Sequence, residues 1–539
     1  MLKPKTVFRK DRGTIDNLFI LQQLINDHIE NGKTLYTFFV DFTKAFDYVV
    51  RDNLWLKLLN CGVNGRMLKI IMSMYECVKT CIYVDGKTSS PIYSKLGVRQ
   101  GECLSPFLFA IYVNDLESNL ASVDTGIQIL HVKLFVLFYA DDAVIFANSS
   151  TELQGAIDEF EKYCLKWKLK VNTEKSRIVI FKKGRRRLNE FWTYGGNEIE
   201  ISTHINYLGI LISSNGSYNK TQIKLAEQAS KAIFSMQKNL NRFIALKPSF
   251  LIELFDKLIT PILHYASEVW GFHTAPAIER VHLKFCKRML GVKTSTQNDF
   301  IYGELGRMPL AKLRVINIIK YWLKIVHGMK SLHVTVCYQL GLKNLTEKGS
   351  AGWVKSVKEL LLNCGFADVW YNQGVGDIGL FIGMFKTRIK DMNSQEWHAR
   401  LENSSRASFY SVYKSSIELS PYLELIQVKS HRESLCRLVT SSHTLHIESG
   451  RWNRNPTVPR DRRFCFHCPN KIEDEFHFVF ECPLYNQLRS QLIPSYFRNR
   501  PSMFKFINLL NSRSKMKLTG LAKYVYKANV LRAHTISER

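Results

Sequence analysis

The chain has 539 residues, 75 Lys+Arg against 47 Asp+Glu, a formal net charge of +28, and 46% hydrophobic and 12% aromatic residues. That composition excludes general disorder, and the length accommodates three or four domains. The charge points to nucleic acid ahead of an anionic membrane. The most apolar stretch, 132–147, is interrupted by Lys133 and by Asp141–Asp142, so no membrane span is expected. No apolar core of a signal peptide follows Met1. The twelve cysteines, scattered apart from one tight group near Cys465, suit a reducing compartment. An intracellular location, nucleus or cytoplasm, is therefore expected.

In chain order, residues 35–40 are rich in β-formers and stop at Asp41, which predicts a strand. Ser105-Pro106 opens a helix to about Leu120, with Ser105 as N-cap and Pro106 at the first helical position. Residues 134–138 and 143–147 read as two strands of a hairpin joined by Tyr139-Ala140-Asp141-Asp142, and a further short strand ends at Phe181. This alternation, to about residue 215, is α+β. From about 220 to 330 the pattern turns helical: Ile223, Ala226, Ala229, Ile233, Met236 and Leu240 share one face. Lys224, Lys231 and Lys238 form a stripe on the opposite face, which is either solvated or tracks phosphates. Residues 331–450 read as helical without identifiable chemistry, with loops at 349–352 and 372–374. Arg451, Arg454, Arg460, Arg462 and Arg463 then form a basic linker.

Two acidic places stand out. Asp41 ends a strand, and Asp141 with Asp142 occupies the tip of an apolar hairpin. Adjacent aspartates between apolar strands repel each other and are costly to desolvate without a cation. Two Mg²⁺ ions about 3.5–4 Å apart would resolve that conflict and clamp the oxygens of a phosphoryl transfer. An ordinary Asp-rich turn is the plain alternative. Between the two places, Gly97-Val98-Arg99-Gln100-Gly101 is a loop in which glycine permits close backbone approach and Gln100 offers amide hydrogen bonds. Near the C-terminus, Cys465, Cys468, His477 and Cys482 have the spacing C-x₂-C-x₈-H-x₄-C. Three thiolates and an imidazole suit one tetrahedral Zn²⁺. His467 competes as a ligand but sits awkwardly between two of the cysteines.

Together with 166–176 and with Asn206-Tyr207-Leu208-Gly209, these motifs resemble the reverse transcriptase of a non-LTR (LINE-type, jockey-like) retrotransposon over essentially the whole chain. The resemblance implies a right-hand polymerase. It would have a fingers remnant at 1–34, a palm with finger elements at 35–215 and a helical thumb at 216–330. A helical connector at 331–450 would lead to a basic linker, a CCHC zinc-knuckle-like module and a helical tail at 451–539. It implies Asp41, Asp141 and Asp142 as Mg²⁺ ligands and Lys175 as the acid that protonates the pyrophosphate leaving group. Phe46 becomes the steric gate against a ribose 2′-OH. Arg99, Gln100, Gly101 and Tyr139 would meet nucleotide or template, and Tyr207, Leu208 and Gly209 would form a primer grip.

Plain readings stand beside these: Phe46 as core, Lys175 as a solvated turn lysine, Tyr207 as packing and Arg99 as surface. The run 182–187 is a solvated loop, a nuclear address or a nucleic-acid contact. The implied partners are an RNA template, a DNA primer or target DNA, and dNTPs, with no membrane; oligomeric state is not indicated. Phe8-Arg9-Lys10 through Thr14-Ile15-Asp16 resembles the last fingers motif of the family. With only forty residues before Asp41, an N-terminally truncated copy is expected, one that binds nucleic acid but extends primers poorly.

Overall fold

The computed structural model describes residues 13–123, 125–184, 190–240, 246–328, 331–349, 352–452 and 457–538. The chain divides into two compact units. The first is Met1–Thr221 with Ala266–His273 and Asn317–Ile378; the second is Gln222–Tyr265 with Thr274–Ile316 and Gly379–Arg539. The segments expected at 216–330 and 331–450 thus each contribute to both units.

The first unit is built on a four-stranded antiparallel sheet in the order Arg177–Phe181, Leu35–Val40, Asp142–Ala147, Val136–Tyr139. Leu35–Val40 is interior and covered on both faces, which is why it reads as a nearly continuous apolar run rather than an alternation. One face, with Phe38, Val40, Ile145 and Ile178, packs on Leu54, Leu58, Phe109, Ile157 and Phe160. Each such side chain fully buried contributes roughly 1.5–3 kcal/mol. The other face lies against the helix Thr14–Glu30, whose Leu18, Phe19, Leu21 and Ile25 are buried. Thr14-Ile15-Asp16 opens this helix; Phe8-Arg9-Lys10 lies outside the described residues.

The expected helix from Ser105 differs in two respects. Its N-cap is Leu104, which offers no side-chain acceptor, and Ser105 lies inside the first turn with Oγ 3.3 Å from the Tyr75 hydroxyl. The helix also breaks into Ser105–Tyr112 and Leu116–Leu120. A half-buried polar knot sits at the break. The Tyr163 hydroxyl reaches the Tyr112 carbonyl (3.3 Å) and the Asp115 carboxylate (2.6 Å), and the buried Lys57 pairs with the same carboxylate. The Lys57 ammonium lies 3.4 Å from the centre of the Trp167 ring, and burial brings its pKa down to about 8.

The second unit is predominantly helical. Lys429–Val439 packs along Lys515–Ser537. The buried Glu304 is satisfied by the hydroxyls of Tyr410 (3.0 Å) and Tyr422 (2.6 Å). In the helix Asn219–Leu240, Ala226, Ala229 and Met236 are buried as the periodicity predicts, but Ile223 is exposed and Leu225 is buried instead. Lys231 and Lys238 are exposed and Lys224 is half-buried. Among the described residues no helix is long and apolar enough to cross a membrane.

Candidate active site and metal centre

Strand register brings the two acidic motifs together. Val40 pairs with Ala143, so the next step along both strands sets Asp41 beside Asp142 at the sheet's end. The Asp41 N–H donates to Ser176 Oγ (3.0 Å) and its carbonyl accepts from the Asn172 N–H (2.8 Å), so Asp41 is held from both sides. Tyr139 pairs with Asp142, leaving Ala140 and Asp141 as a two-residue hairpin tip with Ala140 at φ +55°. A left-handed alanine costs roughly 1–2 kcal/mol, strain of the kind that accumulates at functional turns. Asp141 is exposed and Asp142 half-buried. Burial, then the charges of Asp141 and Asp41, raise the Asp142 pKa to about 6. Three carboxylates thus crowd one sheet end with an unrelieved mutual repulsion.

Beside them, Lys44 at φ +46° turns the chain after Asp41, and the Phe46 ring packs 5.1 Å from that of Phe109, partly buried on the core. The Gly97 and Val98 N–H groups donate to the carbonyls of Val49 and Phe46, both at 2.8 Å. A Cβ on Gly97 would sit 2.8 Å from the Asp47 carbonyl oxygen, so only glycine fits there. Gln100 is exposed and its amide donates to Asp47 Oδ1 (3.0 Å). Gly101, at φ +83°, is open to solvent. Arg99 donates to the Met74 carbonyl and lies 3.8 Å from Glu102, with its side chain 40% exposed. Lys175 is exposed at the turn 172–176, the same turn that holds Asp41.

Tyr207 differs from its expected role. It is 3% exposed, its ring packs 5.5 Å from Phe39, and its hydroxyl accepts from Asn17 (3.4 Å). Burial, and secondarily the charge of Asp142, push its pKa well up. It therefore supports the sheet beneath the aspartates and does not itself present a surface to a primer. The following turn, Leu208 at φ +47° and Gly209 at φ +82°, joins His204–Tyr207 to Ile210–Ser213. Three supporting residues have no role in the sequence pattern: Ser176, which receives the Asp41 N–H, Asp47, which orients Gln100, and Asn17. Asn17, which also donates to the Phe138 carbonyl (2.8 Å), carries no sequence signal.

In the second unit, Cys465, Cys468, His477 and Cys482 offer ligand atoms all within 4.8 Å of one another. The Cys465 N–H donates to the Lys471 carbonyl (2.7 Å), closing the loop that carries the first two cysteines. His477 Nε2 is buried with no hydrogen-bond partner among the described residues, while Nδ1 lies 3.3 Å from Glu481. That arrangement, one ring nitrogen on a carboxylate and the other open, is the one metal-bound histidines adopt. Hydrogen bonding with Cys482 draws the Cys465 pKa down and raises that of Cys482. His467 is exposed and stands outside the cluster. The basic linker is less free than its composition suggests. Arg463 is buried and donates to the carbonyls of Val458 and Ile447, and Arg451 pairs with Glu448 (2.9 Å). Arg460 and Arg462 are exposed; Arg454 and 185–187 lie outside the described residues.

Residues 1–212 match the family model described as reverse transcriptase (RNA-dependent DNA polymerase). The chain is similar to the RNA-directed DNA polymerase from mobile element jockey of Drosophila funebris, 23% identical over 288 residues, 52% of this chain and 31% of that protein. It is also similar to Pol polyproteins of type-1 retrotransposable element R2. One, from Popillia japonica, is 28% identical over 46% of this chain and 42% of that protein; another, from Bradysia coprophila, is 23% identical over 79% and 48%. The chain thus spans less than half the length of these relatives. A telomerase structure from Candida tropicalis aligns over 69% of this chain and 54% of its own, with 11% identity and a TM-score of 0.32.

Proposed function

With a reverse transcriptase domain at residues 1–212 as the starting point, we propose that this chain is an RNA-directed DNA polymerase of the non-LTR retrotransposon type. It extends a DNA primer, or target DNA, with dNTPs on an RNA template. The observation that carries the reading is the register that sets Asp41 beside Asp142, with Asp141 on the same hairpin tip. The donor set fits Mg²⁺: all ligands are hard carboxylate oxygens, and the burial and neighbouring charges that lift Asp142 are what a cation would offset. Asp41, Asp141 and Asp142 would hold two such ions, which when bound supply Lewis-acid clamping of the reacting phosphoryl oxygens.

The chain's own residues supply position. Phe46, braced on Phe109, is the gate beneath the sugar. Gln100, oriented by Asp47, and the open Gly101 backbone receive the base pair, and Tyr139 at the hairpin meets nucleotide or template. Lys175, on the turn that fixes Asp41, protonates the pyrophosphate. Leu208 and Gly209 supply the primer contact, without the Tyr207 side chain. Such placement matters because misplacement by about 1 Å can cost on the order of a hundredfold in rate.

The second unit holds one Zn²⁺ through Cys465, Cys468, His477 and Cys482, a closed structural site whose fit rests on the open His477 Nε2. Beside it the exposed Arg460 and Arg462 bind RNA or target DNA. A chain that only binds nucleic acid is not favoured, because every carboxylate of the polymerase motif is retained within the matched region. The test is extension of oligo(dT) on poly(rA) with Mg²⁺ and dTTP. Extension is expected from the chain as it stands, reduced by on the order of a hundredfold or more in Asp41→Asn and in Asp142→Asn with primer–template affinity kept. Equal extension by the variants would overturn the reading.

A further inference from the structure

Residues 78–94 form a β-ribbon within the first unit. Val78–Thr80 pairs with Ile92–Ser94 and Tyr83–Val84 with Lys87–Thr88, closed by Asp85 (φ +47°) and Gly86 (φ +78°). Ser89 stitches the two ladders together: its N–H donates to the Ile82 carbonyl (2.8 Å) and its Oγ accepts from the Ile82 N–H (2.9 Å). Every residue from 79 to 96 is exposed. Ile82, Tyr83, Val84, Ile92 and Tyr93 are each 58–72% exposed, a concentration of large apolar side chains that a free surface rarely carries.

The ribbon's chemistry selects its partner. Two residues, Cys81 and Ile82, stand opposite three, Ser89 to Pro91, so the ribbon is bulged, and Pro91 lies on it. A bulge and a proline blunt a strand edge against pairing with another protein strand. Side chains, not backbone, must then make the contact. They are two tyrosines among Lys79, Lys87 and Lys95, with the Lys79 ammonium 5.4 Å from the centre of the Tyr93 ring. Aromatic platforms interleaved with cations fit unstacked bases on a phosphate backbone, and a duplex would hide the base faces they need.

Its root lies at the candidate active site. Arg51 donates to the carbonyls of Tyr75 (2.9 Å), Leu96 (3.1 Å) and Gly97 (3.0 Å), fixing both ends of the ribbon. Gly97 is the residue packed against the backbone of Phe46 and Asp47, three positions before Gln100. We infer that the ribbon 78–94 is a docking arm for the single-stranded RNA template that has not yet been copied, with Tyr83 and Tyr93 as stacking platforms. The inference rests on the polymerase reading for its template.

The test is binding of the full chain, without dNTPs, to oligo(dT) annealed to RNA with a short or a long single-stranded 5′ overhang, read by fluorescence anisotropy. The wild-type chain is expected to prefer the long overhang. Tyr83→Ala with Tyr93→Ala should weaken long-overhang binding by about tenfold or more. Short-overhang binding and single-nucleotide extension should be unchanged, and Tyr83→Phe with Tyr93→Phe should bind as wild type. Equal long-overhang binding by the alanine variant overturns the inference, as does a change confined to the chain's sedimentation mass, which would make the ribbon a protein contact. Extension without any overhang preference sinks the arm and leaves the polymerase. Overhang preference lost in the alanine variant but without extension in any form sinks the polymerase and leaves the arm.

Discussion

At the residue scale, the site is defined by side chains whose neighbours set their behaviour. Phe46 is braced on Phe109 rather than buried outright, so its outer surface can meet a sugar. Phe46→Ala is expected to admit rNTPs while leaving dNTP incorporation measurable, read as the ratio of single-nucleotide incorporation rates; an unchanged ratio would return Phe46 to a packing role. In the second unit, His264 is buried amid Arg314, Glu279, His282 and Asp256, with Nε2 unpartnered among the described residues. Burial, then Arg314, lowers its pKa to about 4 from the ordinary 6.5. Between those values the unfolded chain binds the proton and the folded chain does not. The stability present above pH 6.5 is therefore lost as pH falls toward 4, by about 2 kcal/mol between pH 7 and pH 5. His264→Leu should flatten that part of the urea-denaturation profile, and a variant as pH-sensitive as wild type would assign the dependence elsewhere.

At the element scale, the loop 97–101 shows how a backbone approach can matter more than a side chain. Gly97→Ala would press its Cβ to 2.8 Å from the Asp47 carbonyl oxygen and 3.0 Å from that of Phe46, at φ +81°. Gly101→Ala, at φ +83° with nothing within 4 Å, would carry conformational strain alone. The first is expected to lose about 1–3 kcal/mol of stability and to raise the KM for dNTP by displacing Phe46 and Gln100; the second should lose only about 1–2 kcal/mol. Thermal unfolding and steady-state extension of both variants check the contrast. Elements were legible where one local signal dominated: Leu35–Val40 from its β-formers, and the Asp-Asp hairpin from apolar strands about a polar tip. The ribbon carries only Asp85-Gly86, a two-residue hairpin signal, because exposed strands show no burial alternation to announce them.

At the scale of the whole molecule, each unit carries its own cluster: three aspartates in the first and the Cys/His group in the second. Loss of zinc should be felt in the second. Glu473, between Cys468 and His477 in sequence, makes a buried bidentate pair with Arg532 of the C-terminal helix, both contacts at 2.7 Å, and accepts from the His446 N–H. The cysteine cluster is thereby tied to Lys515–Ser537. We expect one zinc per chain by elemental analysis, and a chelator or His477→Ala to lower the melting temperature of the second unit. Intact melting with zinc gone would make the cluster incidental. Breaking the ion pair by Arg532→Met should also destabilise it, by about 3–5 kcal/mol, because Glu473 would be left charged and buried.

The sequence alone determined what rests on residue identity and spacing: the carboxylate pair and its partner a hundred residues away, the four zinc-type ligands, the glycine loop and the strands of the sheet. These are legible because residue type and interval are properties of the chain itself, whatever packs around them. Tertiary structure decided which of the named side chains are free to act. Tyr207 spends its surface on Phe39, and Arg463 its donors on two carbonyls. It decided, too, that the helix from Ser105 breaks where Tyr163 claims the Tyr112 carbonyl. A composition or a helical period cannot foresee such outcomes, because burial and hydrogen bonding depend on which distant residue arrives at the same place.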